Sequence, residues 1–213
     1  PGFFKAYFNV NEVITSIMFN WIGLYLVNEL MYSTFKGMYD QKTTRTYKLS
    51  SVSPSSLIPD MGLNSIFKTS STTIAIFIAI LIAIIMYIIL NKTTFGYELK
   101  ACGFNKDAAK YAGINERRNI VLSMMISGAL AGIGAGLYFL SGAAEWNPQV
   151  STELPGIGFN GIPVALLAMS NPLGVIFAAI FVAHISVGGA YLPTKYFQPE
   201  IANFIVAVII YLC

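Results

Sequence analysis

Apolar residues along this chain come in runs too long for the interior of a small globule, separated by polar segments of unlike character. No charged side chain occurs from Ile74 to Leu90, from Asn119 to Ala144 or from Leu154 to Thr194. A helix needs about 20 predominantly apolar residues to cross a bilayer. The pattern therefore predicts spanning helices at about Asn11–Met31, Ile74–Leu90 and Asn119–Ser141, followed by an apolar stretch from Phe159 to Val187. For Ile74–Leu90 the alternative of a buried strand fails on length.

The last stretch is interrupted at Ser170-Asn171-Pro172. Proline lacks a backbone donor and the residue before it avoids helical geometry, so two short helices are predicted, one on each side. At about 1.5 Å rise per residue, each covers only about half to two-thirds of a bilayer. Such a feature is a re-entrant pair or a broken helix, backed by protein or a water-filled cavity that satisfies the freed backbone. The fold class that follows is all-α, a polytopic transmembrane helix bundle with a re-entrant or broken helix pair. Residues 1–213 form one membrane domain, with a polar loop at 91–118 inside it.

Composition strengthens this picture, since 55% of the 213 residues are hydrophobic and 11% charged, against about a quarter charged in soluble domains. Cys102 and Cys213 show neither CxxC spacing nor an even framework, so neither a metal site nor disulfide stapling is expected. The net charge of +3 comes without a basic and aromatic groove pattern. Lipid, not nucleic acid, is the expected surrounding. If the spans alternate, the amino-terminal tail and the 91–118 loop share one side and carry seven Lys and Arg; the other side carries five, all within 33–70. Positive charge packed directly against membrane ends predicts that the 91–118 loop of this multi-pass membrane protein is cytoplasmic. The chain opens on Pro1-Gly2 and closes inside the short apolar run Ile201–Cys213, which makes it a fragment truncated at both ends by expectation.

Inside the polar loop, Asn105-Lys106-Asp107-Ala108-Ala109-Lys110-Tyr111-Ala112-Gly113 reads as a bounded short helix. Asn105 can cap free N–H groups, Asp107 suits the positive end of the helix dipole, and Gly113 can adopt the left-handed conformation that ends a helix. Ala108, Ala109 and Ala112 permit close approach of another surface, and Lys106 and Lys110 can steer an acidic partner. A solvated helix that merely joins two spans has the same features.

The segment Phe95-Gly96-Tyr97-Glu98-Leu99-Lys100-Ala101-Cys102-Gly103-Phe104-Asn105, continued by Ala108-Ala109-Lys110-Tyr111-Ala112-Gly113-Ile114, resembles the cytoplasmic coupling segment of ABC permeases of the branched-chain amino-acid and simple-sugar family. The stretch Gly158-Phe159-Asn160-Gly161-Ile162-Pro163-Val164-Ala165-Leu166-Leu167-Ala168 with Asn171-Pro172-Leu173-Gly174 resembles the nucleoside-type members, as do Pro1–Phe4 and Asn11–Met18. Cys102, Pro163 and Ala168 depart from the usual residues, and the 33–70 connection matches weakly. The resemblance implies an importer permease without a nucleotide site of its own, in accord with the lack of a G-x-x-x-x-G-K-[ST] loop. No cofactor is then expected in this chain, ATP and Mg belonging to a partner ATPase. It also implies a second permease subunit and an extracellular substrate-binding lipoprotein. Gly96, Leu99, Ala101, Gly103, Asn105, Asp107, Ala108, Ala109, Tyr111, Gly113 and Ile114 would form the contact to the ATPase. The substrate would be a nucleoside, with a simple sugar or a branched-chain amino acid as alternatives.

Four further features bear on transport. Glu12, Ser16 and Asn20 form a polar stripe on the first span, fitting either a wet pathway or, for Glu12, the membrane boundary. Ser16, Asn20, Phe159 and Asn160 are the candidate pathway residues, the asparagines for hydroxyls and the phenyl ring for a base. Gly128, Gly132 and Gly136 recur every fourth residue, allowing close helix packing or sliding. His184, the one histidine, is expected to be neutral and hydrogen-bonded. Trp146, between Glu145 and Asn147-Pro148, is either an interfacial anchor or a gate meeting an outside partner. Glu12 and Glu29, at opposite ends of one span, are too few for the relay of an ion-coupled transporter. No nucleophile, base and orienter set marks an enzyme.

Overall fold

Asparagine side chains open three of the four long helices. The computed structural model describes residues 1–34, 39–40, 45–47, 49–59, 61–62, 73–142, 144–147, 154, 156–191 and 200–212. Pro148, Glu153 and Cys213 lie outside them, as does much of the 33–70 connection. Helix α1 (Gly2–Phe8) ends at Asn9 in the left-handed conformation, φ 52°. Asn11 then caps α2 (Glu12–Ser33), its Oδ1 accepting the Val13 N–H at 2.8 Å. After a two-stranded hairpin, β1 (Tyr39–Asp40) with β2 (Arg45–Thr46), come a short helix α3 (Leu49–Val52) and a single tight turn (Pro54–Ser56). Next are α4 (Ala75–Lys92), α5 (Thr94–Phe104), α6 (Lys106–Tyr111) and α7 (Glu116–Leu140), the last capped by Asn115 accepting from the Arg118 N–H at 3.1 Å. The chain closes with α8 (Gly156–Phe159), α9 (Gly161–Leu167), α10 (Pro172–Ala190) and α11 (Glu200–Leu212).

The predicted spans therefore exist, shifted by a few residues. Helix α7 begins three residues before the predicted Asn119 because Asn115 and Glu116 supply a cap and a first-turn acid outside the apolar run. Helices α2, α4, α7 and α10 are each long and apolar enough to cross a membrane. Their large side chains stay exposed, Phe77, Leu81, Met125 and Phe177 among them. Buried apolar residues are few and mostly small, such as Leu24, Ala109, Ala178 and Val182. A chain whose apolar side chains face outward everywhere has lipid or other helices as its solvent.

The chain divides into two compact units, residues 1–79 with 93–154, and residues 80–92 with 155–213. In the first, α1 lies along α7, with Gly2 so close that a Cβ there would meet the Met124 Cβ at 2.8 Å. The Arg117 guanidinium sits over the Tyr7 ring, 5.7 Å from its centroid. The amino-terminal helix and the polar loop therefore share one end, as alternating spans require. At the other end of α2, the Trp146 indole N–H donates to Asn28 Oδ1 at 3.1 Å. The backbone of Trp146 exchanges hydrogen bonds with Thr46, its N–H donating to Thr46 Oγ1 at 3.1 Å and its carbonyl accepting the Thr46 N–H at 2.9 Å. Trp146 fastens the hairpin and the loop after α7 onto α2.

In the second unit, the break falls at the predicted place but the pieces are unequal. Helix α9 has 7 residues, whereas α10 has 19 and is a full span, roughly 28 Å at the usual rise. The expectation of two short helices fails on this side because Pro172 occupies the first helical turn, where a missing N–H costs nothing, and Asn171 caps it at 3.0 Å. Pro163 is likewise mild, as the third residue of α9. The turn is held by Met169 N–H to Leu166 O at 2.9 Å and Ser170 N–H to Ala165 O at 3.0 Å, a Schellman closure. Met169 takes the left-handed position, φ 50°, where glycine is at ease. Met169→Gly should therefore stabilise the chain by about 1 kcal/mol. Chemical unfolding in detergent reads this, and a destabilised variant would show that Met169 packs instead of straining.

Candidate functional site

Two helices meeting at one asparagine build the charged end. Asn105 closes α5, its N–H donating to the Ala101 carbonyl at 3.1 Å, and opens α6, its Oδ1 accepting from the Asp107 and Ala108 N–H groups at 3.0 Å each. At the far end, Gly113 has φ 79°; its N–H donates to Lys110 O and that of Ile114 to Ala109 O, both at 3.0 Å. Both predicted caps of Asn105–Gly113 are thus present. The preceding helix α5 was not predicted. Its signal was there: Thr93, whose Oγ1 accepts the Gly96 N–H at 3.2 Å, stands directly before it.

Between α5 and α6 runs an open groove of about 560 Å³, lined by Tyr97, Phe104, Ala108, Ala112 and Ile114 among others. Phe104, in its lining, is 90% exposed, and Tyr111 on α6 is 95% exposed. Phe104 was absent from the sequence candidates, since the apolar pattern alone cannot tell an outward phenyl ring from an inward one. Gly103, Asn105, Asp107, Ala108, Tyr111 and Gly113 are exposed, and Leu99, Ala101 and Ile114 half-buried. Gly96 and Ala109 are buried within the chain. Ala109 thus does not offer close approach to an outside surface, a correction that follows from the side of α6 it occupies.

Beneath this groove, a second cavity of about 230 Å³ is walled by α5, α7 and the start of α2, with Lys5, Glu12, Lys106, Asn119 and Ser123 in its lining. Glu12 pairs with Lys5 at 2.7 Å. Asn119, passed over in the sequence as the first residue of an apolar run, is 1% exposed and donates from Nδ2 to Glu98 Oε2 at 3.0 Å. Ser16 is half-buried and Asn20 exposed on α2; Phe159 and Asn160 are exposed in the other unit. On α2 the covered face is instead Trp21, Leu24 and Asn28. A Cβ at Gly128, Gly132 or Gly136 would meet no heavy atom within 4 Å, so no described residue packs on that face. His184 is exposed on α10 and has no hydrogen-bond partner among the described residues, contrary to expectation.

Four helices long and apolar enough to cross a membrane define a multi-pass membrane protein. A family model described as branched-chain amino acid transport system / permease component matches residues 1–213. The nucleoside ABC transporter permease protein NupB of Lactococcus lactis subsp. cremoris is 38% identical over 212 residues, 99% of this chain and 57% of that protein. The guanosine ABC transporter permease protein NupP of Bacillus subtilis is 36% identical, over 99% of this chain and 58% of that protein. The glucose ABC transporter permease protein TsgB13 of Haloferax volcanii is 25% identical, over 93% and 52%. No solved structure matches. The chain belongs to the permease component family of the branched-chain amino acid transport system, and to the plasma membrane as a multi-pass protein. It spans a little over half the length of the nucleoside and guanosine relatives it matches.

Proposed function

We propose that this chain works within the permease subunit of an ATP-driven nucleoside importer, with α5 and α6 as the segment that meets a separate ATPase. One observation carries the reading: α6 is capped at both ends and bordered by exposed Phe104 and Tyr111 beside an open groove, at the positively charged end of the spans. Aromatic rings left in the open beside small residues are the usual anchors of a protein interface. The nucleoside substrate is supported by the two relatives named for nucleoside and guanosine transport.

In this scheme ATP and Mg are held by the partner ATPase, and an extracellular lipoprotein delivers substrate. A second permease subunit would seat a helix against the open Gly128, Gly132 and Gly136 face. Ser16, Asn20, Phe159 and Asn160 are the pathway candidates, offering polar groups to the sugar and a ring to the base. If Asn20→Ala and Asn160→Ala leave uptake intact at normal expression, those two assignments are wrong.

Removing both rings, Phe104→Ala with Tyr111→Ala, should cut the ATPase recovered with the tagged permease about tenfold or more. Thermal unfolding should stay near wild type, as both side chains are exposed. Uptake that persists in vesicles free of any ATPase would sink the importer reading.

A further inference from the structure

We infer that Asn119 is a positioning residue: with the half-buried Glu98 it forms a polar joint that passes movement of the α5–α6 pair to the spanning helix α7. The inference rests on the reading of α5–α6 as the ATPase-facing segment.

Asn119 is the most deeply buried polar side chain among the described residues, at 1% exposure, in the second turn of α7. Asparagine is a poor choice for a helix interior, and an apolar residue would fill a buried position at lower cost. What the amide supplies is direction. Its Nδ2 donates to Glu98 Oε2 at 3.0 Å and approaches Cys102 Sγ at 3.8 Å. Glu98 and Cys102 are four residues apart, so two successive turns of α5 grip one side chain of α7. Apolar surfaces can slide past one another, whereas a hydrogen bond to a carboxylate holds one register.

On the far side, α5 is tied to α6 through Asn105, which caps both. On the near side, α7 continues from Asn119 to Leu140 without a charged residue. A push on α6 thus reaches the membrane span through this pair as well as through the direct packing of α6 on α7.

Among the described residues Asn119 Oδ1 has no hydrogen-bond partner, so the bond to the Glu98 carboxylate is the strong one the amide makes.

The test uses the complete transporter with its ATPase and binding protein, labelled guanosine as probe, and two readouts: ATPase recovered on purification, and guanosine moved per ATP hydrolysed. Asn119→Asp sets a carboxylate against Glu98 and should lower guanosine per ATP about tenfold at unchanged ATPase recovery. Adding Glu98→Gln returns a donor opposite the new carboxylate, and the ratio should come back to within about threefold of wild type.

A double variant no better than Asn119→Asp alone would overturn the joint, as would a wild-type ratio in Asn119→Asp. Should Asn119→Asp fail to accumulate, the neutral Asn119→Ala carries the same ratio measurement, and an unchanged ratio there is equally fatal. ATPase recovery falling in step with transport would make Asn119 a docking residue only, which also overturns it. Failure of the wild-type chain to hold any ATPase would instead remove the docking reading, and the joint with it.

Discussion

Placing an aspartate at Ala108 or at Ala109 should give opposite failures from neighbouring positions. Ala109 is 3% exposed, on the side of α6 that faces into the chain. A carboxylate forced into that position loses its hydration, and an uncompensated buried charge costs about 3–5 kcal/mol. Ala109→Asp should therefore accumulate poorly and unfold early in detergent. Ala108 is exposed and is the third residue of α6, where an acid favours the helix dipole and can reach back toward Asn105. Ala108→Asp should fold within about 0.5 kcal/mol of wild type. Its effect should appear in partner recovery alone, because the new charge sits in the groove where the ATPase is proposed to bind. If Ala108→Asp keeps its ATPase and transports normally, α6 is a connecting helix and no more. If Ala109→Asp is as stable as wild type, the inward placement of that side chain is wrong.

The second large effect is steric. At Gly2 an added Cβ would lie 2.8 Å from the Met124 Cβ, 3.1 Å from its Cγ and 3.3 Å from the Val121 Cα. Methionine can swing its Cγ aside, but its Cβ and the Val121 Cα move only with the backbone of α7. Helix α1 must lift, and overpacking of this kind costs about 1–3 kcal/mol. Lifting α1 also strains the Lys5–Glu12 pair and withdraws Tyr7 from Arg117, both held by the same short helix. A graded series is expected, Gly2→Ala mildly and Gly2→Val strongly destabilised in chemical unfolding. Equal stability of Gly2→Val and wild type would mean that α1 does not lie on α7.

Much of the architecture was legible before any coordinates. Apolar runs located three of the four spans to within a few residues, and Asn11, Asn105, Asn115 and Asn171 stand before the helices they cap. Local signals work here because a cap and a first-turn acid act within four residues of themselves. The same locality explains what was missed. Nothing within a few residues of Asn119 distinguishes it from the start of an ordinary apolar run; its partner Glu98 is 21 residues away. Trp146 could not be assigned as a fastener, since Thr46 and Asn28 lie 100 and 118 residues distant. The length of α10 was misjudged for another reason. A proline that would break a helix in its middle is harmless in its first turn, and only the backbone tells the two apart.

Three of the four spans, membrane class, loop charge and the twin caps of α6 belong to the sequence alone, because hydropathy and capping are properties of short windows of chain. Which face of α6 looks outward, that α1 rests on α7, and that a single amide joins α5 to a membrane span belong to the tertiary structure. Those depend on residues brought together across many turns of helix, and no local free energy records them.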